Sequence, residues 1–268
     1  MGASIQQLKR LYNEGSYEEV SKQLCTIDFE RLAIAERSLY YRLLIGLQIN
    51  LEQRIDHEAF VKYEQLIEDE ADEMNICIFE NSKGLKYLFE GNFELAVDQF
   101  SKIIAEDRHM LQRHPTLYAT ALGNCIYALI SMKQYRRAIL LYNSINDTNL
   151  MYLLREAPRT YFHVHENLLD AYIGMEQWQT GMTIAETILS LNELEQNERY
   201  KAIIQMAAGY ILSKVDLEKG KALCLEAATY FDFTKKRRDY NLAYDRLMHV
   251  LMQDGDEKLI AHYAQFIR

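Results

Sequence analysis

Three asparagines set the chemistry to look for. Asn81, Asn124 and Asn167 recur at intervals of 43 residues, and Gln205 and Arg246 hold the corresponding place in the two segments that follow. A side-chain amide both donates and accepts, so a column of amides on one surface can pair with the backbone of an extended peptide. Exposed asparagines also dot any wet surface, and spacing alone leaves that plainer account open. One helical turn beyond the asparagines fall Tyr127 and Asp170, and one turn before falls His163. All of these would line the same surface.

Other chemistry finds little footing. His163 and Asp170 are seven residues apart, so on a helix they share a face but stand about two turns apart, too far for a hydrogen-bonded acid–base pair. In His163-Val164-His165 the two rings would point about 200° apart, so they cannot share one ion. No HExxH, CxxC, P-loop, GxSxG or GxGxxG occurs, and neither an enzyme nor a metal or other cofactor is expected. Cys25, Cys77, Cys125 and Cys224 stand far apart, as small apolar residues of helix faces in a reducing compartment would.

The elements that must position these residues are helices. Among 268 residues there are two prolines and eleven glycines, 49% of the chain is hydrophobic, and β-branched alternation is scarce, which is the composition of an all-helical protein. No apolar run reaches the length of a membrane span and no charged-then-apolar leader opens the chain, so a cytoplasmic protein is expected. A net charge of −9 argues against gripping a phosphate backbone. The run Lys235-Lys236-Arg237-Arg238 reads as a cationic helix end and loop, and the acidic stretch from Glu64 to Glu73 as a solvated helix end.

The clearest segment runs from Asn75 to Asp107. Ile78, Leu85, Leu88 and Phe89 keep helical spacing. Gly91 then supplies a residue that can turn left-handed and stop the helix, and Asn92 opens a second helix whose apolar face is Phe93, Ala96, Val97, Phe100, Ile103 and Ile104. Ala96 and Gly84 are small, so the two axes can approach there. The pattern recurs about the anchors Val20, Ala59, Ala96, Ala138, Gly181, Gly220 and Ile260, in steps of 39, 37, 42, 43, 39 and 40. Pro115 and Pro158, the only prolines, stand just ahead of the first helix in consecutive units, where a missing N–H costs nothing. A period near forty with a turn in the middle is the mark of a helix-turn-helix solenoid.

The pattern Gly84–Tyr87–Gly91-x-Phe93-x-x-Ala96–Phe100 closely resembles the tetratricopeptide repeat (TPR), with weaker copies at Gly15-x-Tyr17-x-x-Val20, Tyr135-x-x-Ala138 and Trp178-x-x-Gly181. The steps exceed the usual 34 residues and are similar to those in the TPR domains of the Gram-positive peptide-pheromone receptors, the Rap, PlcR and NprR group. The resemblance implies an all-α fold, a right-handed α-solenoid of about seven repeats forming one domain over 1–268. It also implies that the first helix of each repeat lines a concave groove and that asparagines there hold the peptide. Such receptors carry a further helical or DNA-binding segment before the repeats, whereas here the first repeat begins near Ser4. The sequence therefore expects a stand-alone array or part of a longer protein, without direct nucleic-acid binding.

The functional expectation is a non-catalytic peptide- or protein-binding module. Its sharper form is a signalling-peptide sensor, with Asn81, Asn124, Tyr127, His163, Asn167, Asp170, Gln205 and Arg246 in the groove. The alternatives are a general assembly scaffold, or a portion of a larger transcriptional regulator lacking its DNA-binding domain. The final segment Leu259 to Ile267 is apolar for a solenoid cap, which leaves two occupants for it: a second copy of the chain, giving a homodimer through terminal helices, or a segment outside this sequence.

Overall fold

The structure, a computed structural model, describes residues 4–13, 15–52, 55–69, 73–105, 107–234 and 238–266. Lys235, Lys236 and Arg237 of the basic run, residues 70–72 of the acidic stretch and Ile267 of the final segment lie outside the described residues. The described residues form helices and no strands. Two compact units divide the chain, 1–103 and 104–268.

The first unit holds three helix pairs: α1 (Ile5–Asn13) with α2 (Tyr17–Leu24), α3 (Ile34–Leu47) with α4 (His57–Asp69), and α5 (Glu73–Phe89) with α6 (Phe93–Ala105). A short π-helical segment, Gln48–Glu52, extends α3. Helix α3 is apolar on two sides, because Leu39, Leu43 and Leu47 join Ile5, Leu8, Val20 and Leu24, while Tyr41 and Ile45 join Phe60, Tyr63, Ile67 and Phe79. A helix sandwiched in this way has no continuous polar face. Its buried Ser38 hydroxyl is paired with the Tyr63 hydroxyl at 3.3 Å and donates to Asn75 Oδ1 at 3.3 Å.

The second unit holds four pairs: α8 (Pro115–Ser131) with α9 (Tyr135–Asn143), α11 (Pro158–Gly174) with α12 (Trp178–Leu189), α14 (Glu198–Leu212) with α15 (Leu217–Ala228), and α16 (Arg238–Asp254) with α17 (Glu257–Ala264). Helices α8, α11, α14 and α16 are the first members, and each packs on the next in that order. Three further short helices follow earlier pairs: α7 (Asp107–Arg113), α10 (Asp147–Glu156) and α13 (Asn192–Glu195). Helices α7 and α10 fall within the two longest steps, 42 and 43, and α13 within one of 39. Pro115 and Pro158 open α8 and α11 as the spacing predicts, after residues with matching backbone, His114 (φ −139, ψ 59) and Ala157 (φ −143, ψ 55).

Four of the seven turns inside the pairs share one hydrogen-bond pattern. Asn92 N–H donates to the Tyr87 carbonyl and Gly91 N–H to that of Leu88, with Gly91 at φ +78; this closes the open end of the helix. The same two bonds recur after α1 at Gly15, after α8 at Lys133 and after α11 at Glu176. Lys133 (φ 59) and Glu176 (φ 56) thus occupy a left-handed position that a glycine fills in the other two turns.

Small residues decide how close the helices come. A Cβ on Gly84 would lie 2.5 Å from the Phe100 ring, so Gly84 accommodates Phe100 rather than matching Ala96. Gly174 makes room for Tyr135 in the same way. The tightest crossing is between α14 and α15, where a Cβ on Gly220 would meet Ser213 N at 2.4 Å and Gly209 O at 2.7 Å. Six of the seven anchors are buried, and Ile260 is half-buried beside Leu259 and Tyr263 on the last core cluster. Cys77, Cys125 and Cys224 are buried, but Cys25, at the end of α2, is exposed and not part of a helix face.

Candidate functional site

Seven of the eight residues picked out by spacing lie in the second unit, on its four first helices; Asn81 alone lies in the first unit, on α5. The asparagines are not exposed. Asn81 and Asn124 are each 8% accessible and Asn167 is 0%, so they do not simply dot a wet surface. Helical period places a residue on a face but does not say how closely the neighbouring first helix covers that face, and here the cover is close.

Asn167 carries the most defined geometry. Its Nδ2 donates to the Gly123 carbonyl on α8 at 3.0 Å and lies 3.4 Å from His163 Nε2. The bond to a carbonyl fixes which end of the amide is nitrogen. Its Oδ1 is buried and has no hydrogen-bond partner, and the same is true of Asn81 Oδ1. A buried acceptor left unpaired costs about 1–3 kcal/mol, so neither arrangement is explained by stability. Gly123 is what lets α11 approach: a Cβ there would lie 2.6 Å from His163 Cδ2.

His163 and Glu166 complete this corner. His163 Nδ1 is 3.5 Å from Glu166 Oε2, and Glu166 is buried. With Nε2 facing an amide N–H and Nδ1 facing a carboxylate, a neutral ring carries its proton on Nδ1. Sequence reading missed Glu166 and Gly123. The signal was present as spacing, since residues three and four beyond His163 share its helix face.

The rings of His163 and His165 do point to different surroundings. His165 is buried, its Nδ1 donating to the Tyr161 carbonyl at 2.8 Å and its Nε2 accepting from the Tyr142 hydroxyl at 2.8 Å. Burial pushes its pKa down to about 4, against the pull of the Tyr161 carbonyl. The same burial raises that of the Tyr142 phenol. Among the described residues no three His, Cys, Asp or Glu side chains gather as a metal site would require.

Asp170 and Arg246 do not stand apart as separate groove contacts: they form an ion pair with each other, joining α11 to α16. Gln205 is turned to its own repeat, its Nε2 donating to Glu226 on α15 at 3.3 Å. Tyr127 is half-buried on α8, one turn beyond Asn124. The second unit therefore brings together His163, Glu166 and Asn167 against Gly123, and Asp170 with Arg246, while Gln205 is engaged elsewhere. Among the described residues no helix is long and apolar enough to cross a membrane.

No family model matches this sequence, and no curated protein matches it. Solved structures do. A Rap protein in complex with competence and sporulation factor aligns with a TM-score of 0.64 at 14% identity, covering 97% of this chain and 73% of that one. The apo form of RapI aligns with a TM-score of 0.57 at 15% identity, over 97% of this chain and 71% of that one. The apo form of the quorum sensor NprR from B. thuringiensis aligns with a TM-score of 0.57 at 14% identity, over 97% and 73%. The repeats counted from sequence and the helix pairs that form agree with these likenesses: the chain has an all-α solenoid fold of TPR type, as these structures do.

Proposed function

We propose that this chain is a peptide-sensing regulatory protein whose ligand lies against the first helices of its repeats, with the Asn167 amide as a principal contact. The observation that carries this is the Asn167 side chain itself. One end is held by Gly123 and the other, Oδ1, is a buried acceptor with no donor. A peptide N–H is the donor such an oxygen lacks, and its arrival removes the cost of the orphan. Asn81 Oδ1 presents the same unmet need on α5. The fold supports the reading, because the Rap structure it resembles is a complex with competence and sporulation factor and NprR is a quorum sensor.

Because Oδ1 is covered, binding requires a neighbouring side chain to rotate. His163 is half-buried with its Nε2 3.4 Å from Asn167 Nδ2, so a change in its ring would act on the nitrogen end of the same amide. Asn124 and Tyr127, on α8, are proposed as further contacts along the row.

The test is a selection from a library of short unstructured peptides on the immobilised full chain, followed by hydrogen exchange of the chain with and without a selected peptide. The expected result is slowed exchange in α8 and α11. Protection confined to second helices, or no peptide selected above background, would overturn the proposal.

A further inference from the structure

The ion pair between Asp170 and Arg246 links residues 76 positions apart, with side chains only 14% and 8% exposed. It does not join neighbouring first helices. Helix α11 packs on α14, and α14 on α16, so the pair reaches across α14. Packed helices lie about 8–10 Å apart, which would put the axes of α11 and α16 roughly 18 Å apart in a flat row. An aspartate and an arginine cannot span that. The row α11–α14–α16 must bend toward the side on which they meet.

The residue of α14 in register with Asp170 is Ala208, taking Gln205 as the counterpart of Asn167. Ala208 is fully buried, and its single methyl leaves room for two longer side chains to meet over it. The guanidinium also lies near enough to Cys224 on α15 to act on its thiol, whose pKa burial pushes up to about 12 and Arg246 pulls back. So Arg246 ties its own helix to α11 in a nearly dry setting where salt screens it weakly.

We propose that Asp170 and Arg246 form a latch that fixes the bend of α11–α14–α16, and that opening it flattens this part of the array and releases α16 and α17 together. Asp170→Asn leaves the Arg246 guanidinium buried without its carboxylate, so that variant opens the latch at a penalty, while neutralising both opens it without a stranded cation. The latch needs no ligand to operate, and it stands or falls apart from the peptide proposal.

The test uses the full chain with Asp170→Asn, Arg246→Gln and the double variant, read by hydrogen-exchange mass spectrometry and by small-angle scattering. The latch predicts exchange at least tenfold faster through both α16 and α17 in every folded variant. It also predicts a larger radius of gyration and unchanged exchange in α8. Should the single variants fail to fold, the double variant carries the same expectation. Faster exchange limited to the turn around residue 170 or 246, or an unchanged radius, would show an ordinary local ion pair. A double variant that does not fold also overturns the latch, since the pair is then required for the fold and not for its bend.

Discussion

Acid should weaken this protein through one imidazole. His165 is enclosed between the Tyr161 carbonyl and the Tyr142 hydroxyl, with the Tyr161 ring 4.0 Å from its own. The carbonyl can only accept, so Nδ1 keeps its hydrogen and Nε2 accepts from the phenol. A second proton, on Nε2, would force the Tyr142 hydroxyl to turn from donor to acceptor and would place a charge in a fully buried site. In the unfolded chain a histidine titrates near 6.5, whereas here burial lowers the value to about 4. Between those values the unfolded state binds the proton and the folded state does not, so stability is full above about pH 6.5 and is lost as pH falls toward 4. At 1.36 kcal/mol per unit the complete loss is about 3 kcal/mol, of which about 2 kcal/mol has gone by pH 5. Urea unfolding of wild type and His165→Gln at a series of values from about pH 7.5 to 5 isolates this group from other titrating residues. The difference between the two proteins should shift by about 2 kcal/mol against the wild type over that range. A difference that stays constant would mean that His165 accepts its proton in the folded state, and the enclosed geometry would be wrong.

Other expectations follow from close approaches and turns. Gly220→Ala drives a Cβ into the backbone of Ser213 and Gly209 and should cost about 3 kcal/mol, whereas Gly181→Ala meets the flexible end of Ile211 at 3.1 Å and, at ordinary contact distance, Tyr172 Cβ at 3.4 Å and should cost well under half of that; thermal melts compare them. Lys133→Gly and Glu176→Gly relieve left-handed backbone at φ 59 and φ 56 and should each stabilise by up to about 1 kcal/mol, read as a raised denaturation midpoint. Iodoacetamide should modify exposed Cys25 quickly and buried Cys224, with its raised pKa, only on unfolding; mass spectrometry of a time course would show a different order if the burial is misjudged.

The helix pairs were legible because punctuation and period coincided. Gly91 marks a turn, Pro115 and Pro158 mark helix starts, and the spacing of Ala96 and Phe100 marks the buried face. Helices α7, α10 and α13 were not, because each is too short to show a period of its own. The turns at Lys133 and Glu176 were hidden for a different reason. Neither residue type favours left-handed backbone, and the hydrogen bonds to Leu129, Ile130, Tyr172 and Ile173 impose it. In the candidate site, spacing put Asn124 and Asn167 at equivalent positions, but their burial depends on Gly123 admitting the next helix, which is a matter of packing. The pairing of Asp170 with Arg246 depends on how three helices bend, and no local pattern encodes that.

Peptide binding through the Asn167 amide is open to a direct test. Its most direct measurement is isothermal titration of a library-selected peptide into wild type, Asn167→Ala and Asn124→Ala, each first shown to melt cooperatively. Asn167→Ala should lose at least tenfold in affinity, as the loss of a buried hydrogen bond worth about 1.4 kcal/mol requires, and Asn124→Ala should lose less. Equal affinity for wild type and Asn167→Ala would contradict it.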